Sequence, residues 1–212
     1  MPATPSPPAA IDSREQMSGV YGHTFWLAYL ANSALVLAHA LTFRFAELVN
    51  HLGGTESVAG DIVAVGTAVA VVLRLSASHV LDDYGTRRMW PLCAMLFVGG
   101  CLTFLAVTQL SWVVYAARIA YFVGLTGMFA CSMTHIQNHV PPERRTEIIG
   151  NLGSSGFVGM ILGSNIGDLV LRFVPDKRTQ FLILFGGAAL IGTVYLVIVI
   201  LLTRDQQHER HA

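Results

Sequence analysis

The chain has 212 residues, of which 53% are hydrophobic and only 12% are charged, and its mean hydropathy is +0.57. A soluble domain of this length carries roughly twice that share of charged residues, so the composition argues against a soluble globule and for membrane spans. The formal net charge is zero, which provides no basic surface for nucleic acid. The three cysteines lack metal-ligand spacing, so we expect no metal site and no cofactor.

Residues 1–20 are rich in Pro, Ala and Ser and lack an apolar core, which predicts a disordered cytoplasmic tail rather than a cleaved secretory signal. The six-helix bundle is predicted within residues 21–203, because six apolar runs there match the ~20 residues that a helix needs to cross a bilayer. We number these runs spans 1 to 6 and place them at residues 24–48, 57–81, 89–110, 112–139, 146–172 and 180–203. Residues 204–212 are polar and are interpreted as a cytoplasmic tail or the start of a linker. The runs do not alternate as barrel strands do, so the predicted fold is an all-α polytopic membrane protein.

Lysine and arginine residues in the loops predict the orientation, because cytoplasmic loops carry an excess of both. Seven of them lie in the two termini and in the loops after spans 2 and 4, whereas three lie on the other side, all after span 5. The count predicts a multi-pass protein of the plasma membrane, or of the inner membrane in a bacterium, with both termini in the cytoplasm.

Charged side chains inside the predicted spans are confined to spans 1, 2, 4 and 5. Because a charge that faces lipid is costly, these four spans are expected to share a polar interior, while spans 3 and 6 can face lipid. We predict intramembrane ion pairs that involve Asp61, Asp168 and Arg74. Such pairs either only fasten helices together or line a solute path. Arg44 and Arg118 are candidates for that path, and two arginines in one cavity favour an anionic solute.

Three further residues are candidates for the cavity lining. Tyr115 lies three residues before Arg118 and therefore shares a helix face with it, although simple packing also explains a tyrosine there. His39 and Asn32 are polar residues of span 1. In span 5, small residues recur every three or four positions, which predicts close contact with another helix through Gly156, Gly159, Gly163 and Gly167.

Charges of both signs are concentrated in LDDYGTRRMW, residues 81–90, between spans 2 and 3. Together with the residues just before it, this stretch resembles the loop G-x-x-x-D-R-x-G-R-R of the major facilitator superfamily. In this chain, Ser78 stands at the position of the leading glycine and Asp83 at the position of the usual basic residue. The matching residues are Asp82, Gly85, Arg87 and Arg88. Span 4 is similar to the family's fourth helix in its arginine followed by Gly124 and Gly127, and the glycine-rich span 5 is similar to the fifth.

The resemblance implies one half of a transporter that has twelve helices in two six-helix halves, each half an inverted pair of three-helix repeats. The family lines its cavity with spans 1, 2, 4 and 5 of this half, which is the partition that the charges predict. The resemblance also implies that Asp82, Asp83, Gly85, Arg87 and Arg88 form a latch between the halves. The alternative is a solvated loop that only enforces topology.

The predicted function is therefore secondary active transport of a small solute by alternating access, with a proton gradient as energy source and His39, Glu47 or Asp168 as the proton-handling group. Besides membrane lipid, the expected partner is a missing C-terminal half or a second copy of the chain. One alternative is a non-transporting membrane subunit or scaffold. A remote alternative is an intramembrane serine protease, because GSSG at residues 153–156 resembles the G-x-S-G of rhomboid-like proteases, although span 6 lacks the histidine that their chemistry needs.

Overall fold

The computed structural model of the chain describes residues 23–140 and 145–209, except for the side chains of residues 23–24, 76–84, 138–139 and 201–209. The predicted disordered tail, residues 1–20, lies outside the described residues. Every regular element in the described ranges is helical, and six spans are long and apolar enough to cross a membrane. The prediction of an all-α polytopic membrane protein with six spans is confirmed.

Span 1 consists of two helices separated by a short 3-10 segment, whereas each of the other spans is one continuous helix. In span 1, helix α1 covers His23–Leu41, the 3-10 segment Thr42–Arg44, and helix α2 Phe45–His51. Spans 2 to 6 are α3 (Glu56–Tyr84), α4 (Thr86–Ala106), α5 (Trp112–His139), α6 (Arg145–Phe173) and α7 (Lys177–Glu209).

The boundaries differ most from the prediction between spans 2 and 3. Helix α3 continues to Tyr84 and α4 begins at Thr86, so Gly85 alone joins the two helices, with φ 75° and ψ 143°. Glycine adopts this left-handed φ without the steric cost that a side chain imposes. We call residues 82–88 the Gly85 corner. Helix α4 ends at Ala106, before the predicted residue 110, because Val107 is extended, and α7 continues beyond the predicted residue 203 to Glu209.

The helix contacts have an internal symmetry. Helix α1 packs against α6 and α7, α4 packs against α5 and α7, and α3 packs against α5. In this symmetry span 1 corresponds to span 4, span 2 to span 5 and span 3 to span 6. The contact between spans 2 and 4 (α3 and α5) then corresponds to the contact between spans 5 and 1 (α6 and α1). The contact between spans 3 and 4 (α4 and α5) corresponds to the contact between spans 6 and 1 (α7 and α1). This is the pattern of the predicted inverted pair of three-helix repeats.

The hydrophobic core lies between span 1, α4, α5 and α7, and its fully buried side chains include Phe45, Phe97, Tyr121 and Phe185. Helices α3 and α6 are the least enclosed: only 22% of the apolar segment of each is buried, whereas 39% of the corresponding segment is buried in α4, α5 and α7. Helices α4 and α7 are more enclosed because both supply core side chains, but each also exposes large apolar side chains such as Leu102 and Leu190. The expectation that spans 3 and 6 can face lipid therefore stays a prediction. Charge along a helix identifies a polar face, but it does not reveal how many neighbours the helix has.

Two glycines of α6 allow it to approach α1 closely. A Cβ atom on Gly159 would collide with the carbonyl oxygen of Ser33, and one on Gly163 would lie 2.6 Å from the Cβ of Ala40. At Gly156 the nearest atom would be 3.8 Å away, and at Gly167 no atom lies within 4 Å. Close approach therefore depends on the middle two of the four glycines that the sequence singled out.

We expect Gly159→Ala to lower the free energy of unfolding by about 1–3 kcal/mol, because the added methyl group meets backbone that cannot move aside without separating α1 from α6. The measurement is thermal unfolding of the purified protein in detergent. Gly153→Ala is the matched control on the same helix: its Cβ would meet no atom within 4 Å, so the change should be neutral or stabilising by up to ~1 kcal/mol. Equal unfolding temperatures for the two variants would contradict the packing argument.

Candidate functional site

The charge of Arg118 on α5 is buried within the bundle. The residue is 5% exposed, and its guanidinium carbon lies 4.2 Å from the ring centroid of Phe45, 4.6 Å from that of Phe122 and 5.0 Å from that of Tyr121. We call these three rings the aromatic cage. Rings at such distances stabilise a cation through their quadrupoles, but they do not accept N–H groups as an anion does. Among the described residues, Nε and Nη1 of Arg118 have no hydrogen-bond partner.

A chain of hydrogen bonds lies beside Arg118. The Tyr121 hydroxyl is 2.7 Å from Nδ1 of His39 and 2.8 Å from Oγ1 of Thr42, and Tyr121 and Thr42 are both fully buried. The His39 ring also makes edge contacts with Phe43 and Phe122. Span 1 thus contributes a histidine and a hydroxyl to the same buried cluster to which α5 contributes an arginine and a tyrosine.

The 3-10 segment of span 1 explains why these side chains meet. The Thr42 hydroxyl donates to the backbone carbonyl of His39 at 2.8 Å, which supplies a local bond where the helix is interrupted. The helix resumes at Phe45, whose ring covers the guanidinium of Arg118. On the other side, a Cβ on Gly66 of α3 would lie 3.2 Å from Cγ of Arg118, so the absence of a side chain there makes room for the arginine.

A separate group of charges lies at the end of the bundle away from the Gly85 corner. Arg44 contacts Glu47 at 3.3 Å and Asp168 at 2.5 Å, and Lys177 contacts Glu47 at 3.1 Å. We call these four residues the ion cluster. Exposed ion pairs contribute ~0–1 kcal/mol each, and Arg44 and Asp168 are 41% and 69% exposed. The ion cluster therefore orients the ends of span 1, α6 and α7 more than it stabilises the fold.

The structure brings some of the sequence candidates together and separates others. Arg44 and Asp168 form a pair, whereas Asp61 and Arg74 are exposed on α3 and have no ion pair within 4.0 Å in the described part of the chain. Arg44 has acidic neighbours, while Arg118 has none within that distance among the described residues. The two arginines thus occupy different environments, although the sequence placed them in one cavity.

Asn32 and Tyr115 have packing roles. Asn32 is 3% exposed and donates to the Ser155 hydroxyl at 3.0 Å, which fastens α1 to α6. Tyr115 is half-buried and packs against the hydrophobic core. The sequence preferred Tyr115 as the neighbour of Arg118, but Tyr121 is the tyrosine that touches it. The spacing of three residues is the same on both sides of Arg118, so the signal for Tyr121 was present in the sequence.

Ser155, the candidate nucleophile of the protease alternative, is fully buried in the contact between α6 and α1. Its hydroxyl donates to the backbone carbonyl of Leu152 and accepts from Asn32. A serine nucleophile requires a base at that position, and an amide N–H cannot remove a proton. The geometry at Ser155 therefore gives the protease alternative no support.

The charges of the Gly85 corner oppose the local helix dipoles. Asp82 and Asp83 lie in the last turn of α3 and their side chains are outside the described set, while Arg87 and Arg88 are exposed in the first turn of α4. Acidic residues favour helix N-termini and basic residues favour C-termini, so all four stand at the unfavourable ends. The charges of these four residues therefore gain nothing from the dipoles of their own helices.

The loop before α7 contains a well-formed helix cap. Oδ2 of Asp176 accepts the Thr179 hydroxyl at 2.6 Å and the Thr179 backbone N–H at 2.8 Å. These two bonds, the hydroxyl first, hold the pKa of Asp176 below its ordinary value, because they favour the ionised carboxylate. The cap fixes the start of α7 beside Lys177 of the ion cluster.

Comparison with known proteins gives a consistent result for most of the chain. The family model of the Major Facilitator Superfamily matches residues 24–212. A protein of Bacillus subtilis (strain 168), described as an uncharacterized MFS-type transporter, YfiU, is 24% identical over 160 residues. The match covers 76% of this chain but 30% of that protein, so the chain spans less than a third of its relative's length. No solved structure matches the chain.

We expect Asp176→Ala to lower the unfolding temperature at pH 7 and the deficit to shrink as the pH is lowered toward 3. Because the folded pKa of Asp176 is depressed, its ionised form stabilises the fold above the unfolded pKa of about 3.9, and this contribution is lost as the pH falls through the folded value. Thermal unfolding measured across this pH range tests the expectation. Asp176→Asn keeps an acceptor oxygen, so its difference from Asp176→Ala should not vary with pH. A wild-type advantage over Asp176→Ala that is constant across the range would refute the role of ionisation.

Proposed function

This chain belongs to the major facilitator superfamily, and we propose that it forms half of a secondary active transporter that moves a small anionic solute by alternating access. The observation that supports this proposal best is the buried guanidinium of Arg118, whose Nε and Nη1 have no partner among the described residues. A buried cation without a counter-ion is destabilising, and ionisable groups that a membrane protein retains in its interior commonly mark solute or ion paths.

The ion cluster helps to assign the solute charge. Arg44 is engaged by Glu47 and Asp168, so its charge is already balanced. Arg118 is surrounded by the aromatic cage and has no acidic partner within 4.0 Å among the described residues, and its planar fork of N–H donors suits a carboxylate, phosphate or sulfonate oxygen pair. The proposed anionic solute therefore binds at Arg118, while Arg44 has a structural role.

Alternating access requires a second half, and the shape of this half is compatible with one. Helices α3 and α6 are the least enclosed and expose rows of apolar side chains, which include Val72 on α3 and Phe157 and Ile161 on α6. We propose that six further helices cover these faces, either from the rest of a longer chain or from a second copy. In this arrangement both termini lie in the cytoplasm, and the Gly85 corner latches one half to the other.

A proton gradient is the proposed energy source. Of the three candidate proton-handling groups, Glu47 and Asp168 are held in ion pairs of the ion cluster. His39 belongs to the buried cluster, where it touches Tyr121. Since coupling requires that the proton and the solute influence each other, the histidine near Arg118 is the strongest of the three candidates.

We expect Arg118→Gln to reduce transport by about tenfold or more, because a hydrogen bond to a charged group contributes ~1.5–3 kcal/mol and tenfold corresponds to ~1.4 kcal/mol. The assay is uptake of a panel of carboxylates, sulfonates and phosphate into proteoliposomes that contain the protein at the full length its gene encodes. Arg172→Gln is the matched control, because Arg172 is exposed at the end of α6 and contacts only the ring of Phe173 among the described aromatic groups.

Undiminished uptake by Arg118→Gln would overturn the proposed solute site. A correctly folded wild-type protein that moves no member of the panel would instead favour the alternative of a non-transporting membrane subunit. In that case a stable complex with another membrane protein should be recovered after mild solubilisation.

We expect Asp82→Asn to slow transport about two- to fivefold without lowering the unfolding temperature of the isolated half, since Asp82 stands at the unfavourable end of α3. The reason is that charge interactions with a helix terminus contribute ~0.3–1 kcal/mol, and in the proposal this partner lies in the other half. Initial transport rates and thermal unfolding are the two measurements. Glu56→Gln, at the opposite end of α3, is the control and should transport as wild type does. Equal rates for all three proteins would refute the latch.

A further inference from the structure

The hydrogen-bond chain beside Arg118 determines which nitrogen of His39 carries a proton. The Thr42 hydroxyl has one hydrogen, and it is donated to the backbone carbonyl of His39, which can only accept. Oγ1 of Thr42 must therefore accept from the Tyr121 hydroxyl, 2.8 Å away. Since this uses the only hydrogen of Tyr121, the Tyr121 oxygen must accept from Nδ1 of His39 at 2.7 Å. In the neutral imidazole, Nδ1 then carries the hydrogen and Nε2 carries the free lone pair.

The lone pair of Nε2 is available for protonation. The His39 side chain is half-buried, and none of the described residues makes a hydrogen bond to Nε2. Two titratable groups of α5 face His39, namely Arg118 and Tyr121, and Cys101 of α4 lies near both of them. The carboxylates of Glu47 and Asp168 are engaged with Arg44 and Lys177. Arg118 is therefore the charge that acts on His39 most directly.

A second positive charge beside Arg118 is unfavourable as long as the guanidinium is not balanced. An anion bound to Arg118 removes this repulsion and attracts the imidazolium. Conversely, a protonated His39 strengthens the binding of the anion, because the effect of one ligand on another is reciprocal. The proton adds to the Nε2 lone pair from water and returns to water when the anion leaves, so the step needs no other reactant.

We propose that Nε2 of His39 and the guanidinium of Arg118 form one cooperative site that loads a proton together with an anion, which makes the transporter a proton–anion symporter. This inference rests on the proposed function, because it assumes that an anion binds at Arg118. It adds the direction of the coupling to the proposed function: binding of the anion favours binding of the proton, and the reverse. An antiporter would require the anion and the proton to displace each other, and two neighbouring cationic groups have the opposite effect on an anion.

The first experiment measures protons directly. The protein at its full encoded length, purified in weakly buffered detergent with a pH indicator, is mixed with methanesulfonate, whose own protonation is negligible near neutral pH. We expect net proton uptake on binding, and an affinity that rises up to tenfold for each unit by which the pH is lowered while His39 is neutral in the free protein. In His39→Gln, methanesulfonate should still bind, but without proton uptake and without this pH dependence.

The outcomes separate the two proposals. Binding that releases protons, or binding with the same pH dependence in wild type and His39→Gln, would overturn the symport inference and leave the proposed function intact. Failure of methanesulfonate, acetate and phosphate to bind at any pH would overturn the anion site itself and, with it, this inference.

A second experiment tests the tautomer without any solute, and its deciding measurement is made on the wild-type protein. In wild-type protein labelled with ¹⁵N-histidine, the nitrogen shifts of His39 should show a protonated Nδ1 and an unprotonated Nε2, and the signal is assigned by its loss in His39→Gln. In Thr42→Val, the Tyr121 hydrogen is free to bind Nδ1, so the population should move toward the Nε2-protonated form. Thr42→Ser restores a hydroxyl and should restore the wild-type pattern. A wild-type His39 protonated on Nε2 alone would overturn the inference.

Discussion

The buried charge of Arg118 is the constraint on which much of this bundle depends. In a membrane interior, polar groups must find partners within the protein, since lipid offers none. The chain responds with aromatic faces rather than with an acid: Phe45, Tyr121 and Phe122 surround the guanidinium, and Gly66 leaves space for its stem. This arrangement accommodates the cation without balancing it. In the proposed function, this unbalanced charge is what an anionic solute binds reversibly.

The interruption of span 1 connects this site to the rest of the fold. Because the helix changes to a 3-10 segment at Thr42, the same few residues provide the hydroxyl that meets Tyr121, the arginine of the ion cluster and the ring that covers Arg118. The two charged regions therefore differ in chemistry but share one segment of backbone. The ion cluster has internal balance and holds the ends of helices, whereas the buried cluster lacks an acid among the described residues.

The sequence predicted the six spans well, because long apolar runs and their polar boundaries are local properties. It also singled out Arg118 and His39, since ionisable residues are rare in such a run, and the structure places the two side chains in one cluster. It did not reveal that Arg44 and Arg118 have different neighbours, because the pairing of Arg44 with Asp168 joins positions that are far apart in the chain. It missed Thr42 and Phe45 as well, because a 3-10 segment in the middle of an apolar run interrupts the α-helix without changing the composition. The sequence also did not predict that α4 and α7 are partly buried. Burial depends on which helices are neighbours, and the periodicity of apolar residues does not identify them.

The single residue between α3 and α4 has a mechanical consequence. A connection of several residues can absorb the movement of one helix by bending, but Gly85 provides only one pair of backbone dihedrals, and α4 begins at the next residue. Helix α3 is loosely packed and α4 is part of the core. We therefore expect a tilt of α3 to shift the first turn of α4, so that the Gly85 corner couples motion at the edge of the bundle to its centre.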